Sequence, residues 1–427
     1  MKDMLEDHVI KFIDDLKSAD IVIGIPSYNN SQTIEGVITN YAQGLKKYYP
    51  EFKSIIVNSD GGSKDNTADI VNNCSIPSGI KKISTLYRGV PGKGSAFRTI
   101  FEIATRLGVK VCVVSDADTR SISPEWTQAL IEPVLGRGFG YVNPYYSRDK
   151  HDGTITNGLV YPMTRMLYGL RVRQPIGGDF SFSNGLLQLF NRDIWWDRYP
   201  NISKFGVDIW MTTIALNEGF RVCQTMLGVK IHDDKDPGRY LSDMYMQVVG
   251  MMFDLMKYYE FHWKKVENSV QGTMIGKHKF FKIEKIDVNT SELLNMFIEG
   301  LNKYRQIWKN IFTSRTYSEF KKVADTVPFE NIHLSVELWA RIVFEYASLY
   351  NFIEESEKNA LLISMLPLYF LRTASFIREA EHLNYEIADA IVEGDAGVFE
   401  RLKYYFRDQW EYYKNKEEKI SIDGLIE

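Results

Sequence analysis

The run Val109-Lys-Val-Cys-Val-Val-Ser-Asp-Ala-Asp118 decides how this chain is read. Its first part, Val109–Val114, is mostly apolar and β-branched, the composition of a strand buried on both faces. Two carboxylates close it, Asp116 and Asp118, and alternation along a strand would put them on one side. Open α/β sheets bind ligands outside the carboxyl ends of their strands. Two hard oxygen donors there suit Mg²⁺ or Mn²⁺ carrying a diphosphate. A solvated acidic turn is the plainer alternative, and the flanking sequence has to decide.

Working outward, strand-like and helix-like runs alternate. Ala19–Tyr28 is a buried strand and the start of a loop. Ser31–Tyr49 has helical spacing of Ile34, Val37, Ile38, Tyr41 and Leu45, with Ser31 or Thr33 as its cap. Phe52–Ser63 is a second strand entering a glycine turn, and Lys64–Cys74 begins a helix. Lys81–Gly89 is a third strand, and Gly94–Gly108 an amphipathic helix. This order predicts an α/β fold, a Rossmann-like, mostly parallel sheet with helices on both faces. Residues 140–191, rich in Gly, Tyr and Arg, read as a less regular subdomain.

Beyond Pro237 the pattern becomes long helical runs at 241–261, 291–312, 333–350 and 397–414. Their apolar stripes are expected as core or as a homodimer interface. Ala360–Ile377 holds Pro367 and Arg372 and is expected as a helix pair or broken core helix, not a membrane span. The Lys-rich residues 264–288 are expected as an exposed loop or a rim of the active site. The expected divisions are a helix at 1–18, two halves of an α/β domain at 19–139 and 140–240, and a mainly helical C-terminal region at 241–427.

The 427 residues are 44% hydrophobic and 25% charged, with a net charge of −4. No global basic field favours nucleic acid or an anionic membrane, so an anionic substrate needs local cations. Cys74, Cys112 and Cys223 show no C-x-x-C spacing, which fits a reducing, cytoplasmic setting. Met1–Asp20 lacks the basic start and apolar core of a signal peptide.

The polar segments between these elements come in an informative order: Ile25–Asn30 after the first strand, Asn58–Thr67 after the second, Tyr87–Ala96 before the third helix, the D-A-D, then His232 in Val229–Asp234. Lys93 sits in Pro91-Gly-Lys-Gly94, where little bulk separates its amine from a diphosphate. A Walker A loop is excluded, because Tyr87 stands where it needs Gly and Gly94 follows the lysine. A flexible hairpin remains the bland reading of this loop, and a surface histidine that of His232. Ser63–Thr67 is equally good turn and N-cap chemistry.

This order resembles the nucleotide-sugar-dependent glycosyltransferases of the GT-A fold, and most of all the mannosylglycerate synthase and glucosyl-3-phosphoglycerate synthase group. The matching pieces are Pro91–Gly94, Asp116–Trp126, Arg173–Phe180, Phe205–Trp210 and Lys230–Met244, and the resemblance runs from about Asp20 to Phe253. It implies a divalent cation, Mg²⁺ or Mn²⁺, held by Asp118 and His232, with Asp116 on the ribose or the metal. Imidazole suits Mn²⁺ somewhat better. A UDP- or GDP-hexose is expected on Pro26, Ser27, Tyr28, Asn29, Asp60, Lys93, Asp116, Ala117 and Gln174. A small acceptor, glycerate or phosphoglycerate, is expected on Arg148, Thr156, Gly177, Gly178 and Arg239. Lys230, Lys235 and Arg239 are expected to hold phosphate charge. Asp179, Asp208 and Lys93 are the expected catalytic residues.

One departure bears on the base. The family-like pattern D-D-G-S-x-D-x-T becomes Asp60-Gly61-Gly62-Ser63, so the choice of base stays open. The resemblance implies retention of anomeric configuration. Val207-Asp208 stands where inverting relatives carry Glu-Asp, and inversion with Asp208 or Asp179 as base stays open. A sugar nucleotidyltransferase would need a Gly-rich loop after the first strand, where Ile25–Asn30 stands. A non-catalytic nucleotide-sugar sensor would bind without turnover.

Overall fold

The structure is a computed structural model that describes residues 5–232, 237–276, 283, 285–326, 328 and 331–416, with backbone alone at 237–241. The chain forms two compact units that interleave along the sequence. The first comprises Met1–Ser147, Val172–Pro237 and Gln271–Ile283; the second comprises Arg148–Arg171, Gly238–Val270 and Glu284–Glu427. Segment 148–171 therefore groups with the helical residues rather than with the α/β domain.

The first unit is built on strands β1 (Ile21–Ser27), β2 (Ser54–Asp60), β3 (Lys81–Leu86), β4 (Val111–Val114) and β5 (Tyr141–Ser147). After the two-residue β6 (Leu170–Arg171), which belongs to the second unit, come β7 (Phe180–Ser183), β8 (Val222–Val229), β9 (Val270–Gln271) and β10 (Thr273–Ile275). The main sheet runs β10-β8-β5-β7-β4-β1-β2-β3, and β6 pairs with β9 outside it. Its pairs are parallel except those of β7, which runs antiparallel to both β4 and β5. Helices α1 (Asp7–Leu16), α2 (Ile34–Tyr48), α3 (Thr67–Asn73), α4 (Lys93–Arg106) and α5 (Pro124–Arg137) intersperse the early strands.

The apolar strands dictate the layers. Ile21, Ile23, Ile25, Val111 and Val113 pack with Val37, Tyr41, Trp126 and Leu130 of α2 and α5. Each such side chain gains roughly 1.5–3 kcal/mol on leaving water. On the opposite face Phe101 of α4 meets Phe182 and Phe190. The predicted β-α alternation is thus present. β4, however, ends at Val114, so Asp116 and Asp118 lie in the following turn and strand alternation does not orient them. Thr33 begins α2 without capping it, because its hydroxyl donates to the Ala117 carbonyl at 2.7 Å. Residues 140–191 are more regular than expected, holding β5, α6 (Tyr161–Tyr168), β7 and α7 (Asn184–Phe190). Helices α8 (Asp193–Arg198) and α9 (Val207–Asn217) precede β8.

The second unit contains α6, α10 (Pro237–Tyr258), α11 (Glu260–Trp263), α12 (Thr290–Ile311), α13 (Ser314–Ala324) and α14 (Val336–Tyr350). It ends with α15 (Lys358–Ala380), α16 (Tyr385–Arg401) and α17 (Lys403–Lys414). The expected broken helix at 360–377 is one helix, α15, with Pro367 inside it. The Pro367 ring lies where Gly300 of α12 has no side chain. By length and composition α15 could cross a membrane, yet 83% of its most apolar stretch is buried. Its Arg372 pairs with Glu379 at 2.8 Å and Asp395 at 2.7 Å. Of the Lys-rich stretch, 277–282 and 284 lie outside the described residues, and β9 and β10 occupy part of what was expected as loop.

Candidate active site

The carboxyl ends of β1, β2 and β4 carry the polar turns. In the register of β1 and β2, Ser27 stands beside Asp60. Ser27 Oγ donates to Asp60 Oδ2 at 2.8 Å, and Ser63 Oγ donates to the same oxygen at 2.6 Å. Asp60 Oδ1 accepts the amides of Gly62 and Ser63 at 2.8 and 2.7 Å. The Asp60 carboxylate is thus engaged by its own turn and is buried. Across from it, the amides of Asn29, Asn30 and Ser31 donate to the side chains of Ser63, Thr67 and Asp65. Hydrogen bonds from Thr67 and Ser31 outweigh the cost of burial and bring the Asp65 carboxyl down to about 2. Ser63, Asp65 and Thr67 therefore staple the two turns together. Tyr28 projects outward, 60% exposed. A side chain at Gly61 would press on Tyr28 and Tyr87.

The antiparallel β7 explains the next contact. Phe180 pairs with Val114, so Asp179, one residue earlier, falls beside the end of β4. Asp179 Oδ1 accepts Ser115 Oγ at 2.5 Å and the Asp116 amide at 3.2 Å. Its Oδ2 accepts the Tyr146 hydroxyl and, at 2.8 Å, Lys230 Nζ. With its side chain 0% exposed, Asp179 has no oxygen to present to an acceptor. It is an anchor, a correction to its expected catalytic role. Ser115, Tyr146 and Tyr41, whose hydroxyl reaches Ser115 at 2.9 Å, complete this anchor. None was named as a site residue from the sequence, which gave Tyr41 only a place on the apolar face of a helix; Ser115 beside the D-A-D was the available signal.

Lys93 starts α4. Gly94 lets that helix end approach segment 202–204, because a side chain there would collide with the Ile202 carbonyl. The Gly94 amide donates to the Lys204 carbonyl at 3.2 Å. This approach carries Asp208, at the start of α9, to Lys93. Lys93 Nζ lies 2.9 Å from Asp208 Oδ2 and 2.9 Å from Asp116 Oδ1. Burial works against the ammonium, but the two carboxylates outweigh it and hold its pKa above the ordinary lysine value. Burial raises the Asp208 carboxyl; Lys93 draws it back and Asp116 pushes it up again. Asp208 Oδ1 is buried without a hydrogen-bond partner among the described residues. A buried oxygen left so is rare and costly, and in a charged site it is a place for a ligand.

Asp116 has Lys93 on one oxygen and Lys230 on the other, at 2.9 and 2.8 Å. Both its oxygens face cations, and its side chain is 23% exposed. Lys230 does not reach outward to hold phosphate; its side chain is 4% exposed and points into the cluster. Asp118 is half-buried in the turn. Thr119 pairs antiparallel with His232, and the Arg120 amide donates to the Ile231 carbonyl at 2.7 Å. The expected ligands Asp118 and His232 are thus carried on adjoining backbones. Among the described residues no three His, Cys, Asp or Glu side chains form a ready metal cage. One carboxylate and one imidazole nonetheless fit a divalent cation of the open kind, whose remaining positions go to phosphate oxygens and water.

The other expected residues divide between the units. Ala117 and Gln174 are buried, and Gly177 and Gly178 adjoin the cluster, all in the first unit. Pro26 is half-buried on β1. Arg148 and Thr156 lie in the second unit, where Arg148 Nη1 stands 3.7 Å from Asp152. Arg239 is in α10 with its side chain undescribed, and Lys235 lies outside the described residues.

Residues 22–197 match the model of glycosyl transferase family 2. The chain is a glycosyltransferase. Its resemblance to the GT-A enzymes is borne out by that match and by the mostly parallel sheet followed by helices. A search of curated proteins finds no match to the sequence. Solved structures that resemble it include glucosyl-3-phosphoglycerate synthase from Mycobacterium tuberculosis with Mn²⁺, uridine diphosphate and phosphoglyceric acid. That likeness has a TM-score of 0.43 and 20% identity, over 58% of this chain and 81% of that chain. The same enzyme with Mg²⁺ and uridine diphosphate gives 0.43 and 21%, over 58% and 82%. Likeness so distant assigns no chemistry here, and the family 2 match carries the identification.

Proposed function

We propose that this glycosyltransferase moves glucose or mannose, with retention, from a UDP- or GDP-hexose to a small anionic polyol such as D-glycerate or 3-phosphoglycerate, with a divalent cation. The observation that carries the reading is Lys93 bridging Asp116 and Asp208 while Asp208 Oδ1 is buried with no hydrogen-bond partner among the described residues. Asp118 and His232 would hold the cation. When bound, it counters the negative charge that builds on the departing diphosphate.

The chain's own residues do the rest. Lys93 supplies a fixed positive charge where the diphosphate leaves, and burial makes that charge count for more than in water. Asp208 Oδ1 accepts a hydroxyl of the donor sugar or the acceptor. In retention the acceptor attacks from the face the leaving group vacates, and the leaving oxygen takes its proton. Under inversion a carboxylate base is required, and with Asp179 saturated that base is Asp208. Arg148, Thr156, Gly177, Gly178 and Arg239 are proposed acceptor contacts, Arg148 meeting a carboxylate bidentately. The buried free thiols of Cys74, Cys112 and Cys223 suit a cytoplasmic setting, and the helical stripes a homodimer.

The test is nucleoside diphosphate release with Mn²⁺ or Mg²⁺, crossing UDP- and GDP-glucose and -mannose with glycerate, 3-phosphoglycerate, glycerol and no acceptor. Release that needs one donor, one of the anionic acceptors and metal supports the proposal, and Asp118→Ala then abolishes the metal-dependent part. NMR of the product anomer separates retention from inversion. Donor binding with no release in any combination would overturn the small-acceptor reading. Arg148→Ala should raise the acceptor KM and spare donor hydrolysis.

A further inference from the structure

Lys230 was expected to face phosphate and instead faces inward. Its three N–H bonds have three acceptors: Asp116 Oδ2 at 2.8 Å, Asp179 Oδ2 at 2.8 Å and the Gly177 carbonyl at 2.9 Å. An ammonium has three donors, so its capacity is filled inside the protein. The three acceptors belong to the D-A-D turn and to the segment entering β7. Gly178 makes room for the arrangement: its φ is +89°, and a side chain there would collide with the Asp116 carboxylate and crowd Lys230 Nζ. Asp179 is pinned in turn by Ser115, Tyr146 and the Asp116 amide.

Immediately beyond Lys230, the chain zips onto the same turn. Ile231 accepts from the Arg120 amide and donates its own amide to Ser121 Oγ at 3.0 Å, and His232 pairs with Thr119. The proposed ligands Asp118 and His232 thus flank a ladder one end of which is tied down by Lys230. We infer that Lys230 is a positioning residue for the divalent cation, holding segment 230–232 in register with the D-A-D turn so that Asp118 and His232 converge. This rests on the proposal that those two residues bind the metal.

Charge and positioning give Lys230 opposite effects on the metal. Lys230 is a cation close to a divalent site, and Coulomb's law says that deleting it tightens metal binding. As a positioning strut, its deletion loosens binding, by about 10- to 100-fold if it acts as outer partners of metal sites do.

Mn²⁺ binding to the full-length protein, with UDP or GDP present, is followed by the loss of the free-ion EPR signal. Lys230→Met is compared with Lys230→Met/Asp179→Asn, which removes both members of the buried pair and keeps a folded control should the single variant not fold. Circular dichroism melting monitors the fold throughout. Weaker Mn²⁺ binding, by about 10-fold or more, in a variant that melts cooperatively supports the inference. Equal or tighter binding overturns it and leaves Lys230 a buried counter-ion. Asp118→Asn and His232→Ala are run alongside. If both bind Mn²⁺ like wild type, the metal reading fails and the inference with it; if both lose binding while the Lys230 variants keep it, only the inference fails.

Discussion

Asp208 in the first unit and Glu345 in the second are both buried carboxylates whose pKa is raised by burial. Their surroundings differ. Glu345 accepts the Thr313 amide at 3.0 Å and the hydroxyls of Thr313, Thr316 and Tyr405. It ties down the start of α13, where Thr313 is the N-cap. Asp208 meets Lys93 with one oxygen, and its other oxygen has no hydrogen-bond partner among the described residues. A buried carboxylate whose oxygens are filled is architecture. One kept half-empty against a buried ammonium is destabilising unless something arrives to meet it.

The largest expected effect comes from neutralising each in turn. Asp208→Asn should cut turnover on the order of 10²–10⁴-fold, the usual worth of a positioned carboxylate, while the melting temperature holds or rises. Glu345→Gln should keep turnover per folded molecule and lose roughly 1–3 kcal/mol of stability, because an amide NH₂ then faces hydroxyls and an amide that need an acceptor. Product release measured beside denaturant titrations separates the two. Wild-type turnover in Asp208→Asn would remove the distinction, as would lost turnover in a fully stable Glu345→Gln.

The elements of the α/β half were legible because apolar strands and amphipathic helices alternate with glycine turns. The direction of β7 was not, since Phe180–Ser183 carries the same short apolar signal in either orientation. That reversal puts Asp179 beside Ser115 and converts an expected catalytic residue into an anchor. Lys230 and Asp116 are 114 residues apart, and no local pattern reports an ion pair over that distance. Lys93, Asp116 and Asp208 were each named from motifs, yet their convergence depends on Gly94 admitting segment 202–204, a contact of tertiary origin. In the helical half, Pro367 read as a break because its accommodation by Gly300 is equally remote in sequence. Ser63–Thr67 reads from the sequence as donor binding or as turn chemistry. Its hydrogen bonds answer to turn chemistry, and donor binding there would add to it.

Lysines sharpen the same contrast with a smaller effect. Lys93 is buried between carboxylates and keeps its charge. Lys403, also buried, donates to the carbonyls of Met166 and Val266, at 2.7 and 2.8 Å. Burial, and then the charge of Arg407, lower its pKa to about 7. Unfolded, it would titrate near 10.4. Between those values the unfolded chain binds the extra proton, so stability rises with pH from about 7 towards 10, and the full penalty is present below 7. Denaturant titrations at pH 7 and 9 should show wild type gaining up to about 2 kcal/mol relative to Lys403→Met over that interval. A constant difference between the two proteins would mean that Lys403 stays charged.

The smallest effect concerns the stapled turns of the first unit. Asp65, at about 2, is an acid whose folded pKa lies below its unfolded value near 3.9. Its contribution is therefore present above pH 4 and is lost as pH falls from 4 to 2. Asp65 is partly exposed, which screens its hydrogen bonds and keeps the stability loss in Asp65→Asn small. That loss should be seen at pH 7 and vanish at pH 2. The kinetic effect divides the possibilities more sharply. Asp65 holds the Ser31 amide, at the end of the loop that carries Tyr28 and Asn29. If that loop binds the donor base, Asp65→Asn raises the donor KM with little change in kcat. A donor KM equal to wild type, with the acid-dependent stability loss intact, would make the staple purely structural and move base recognition elsewhere along the sheet edge.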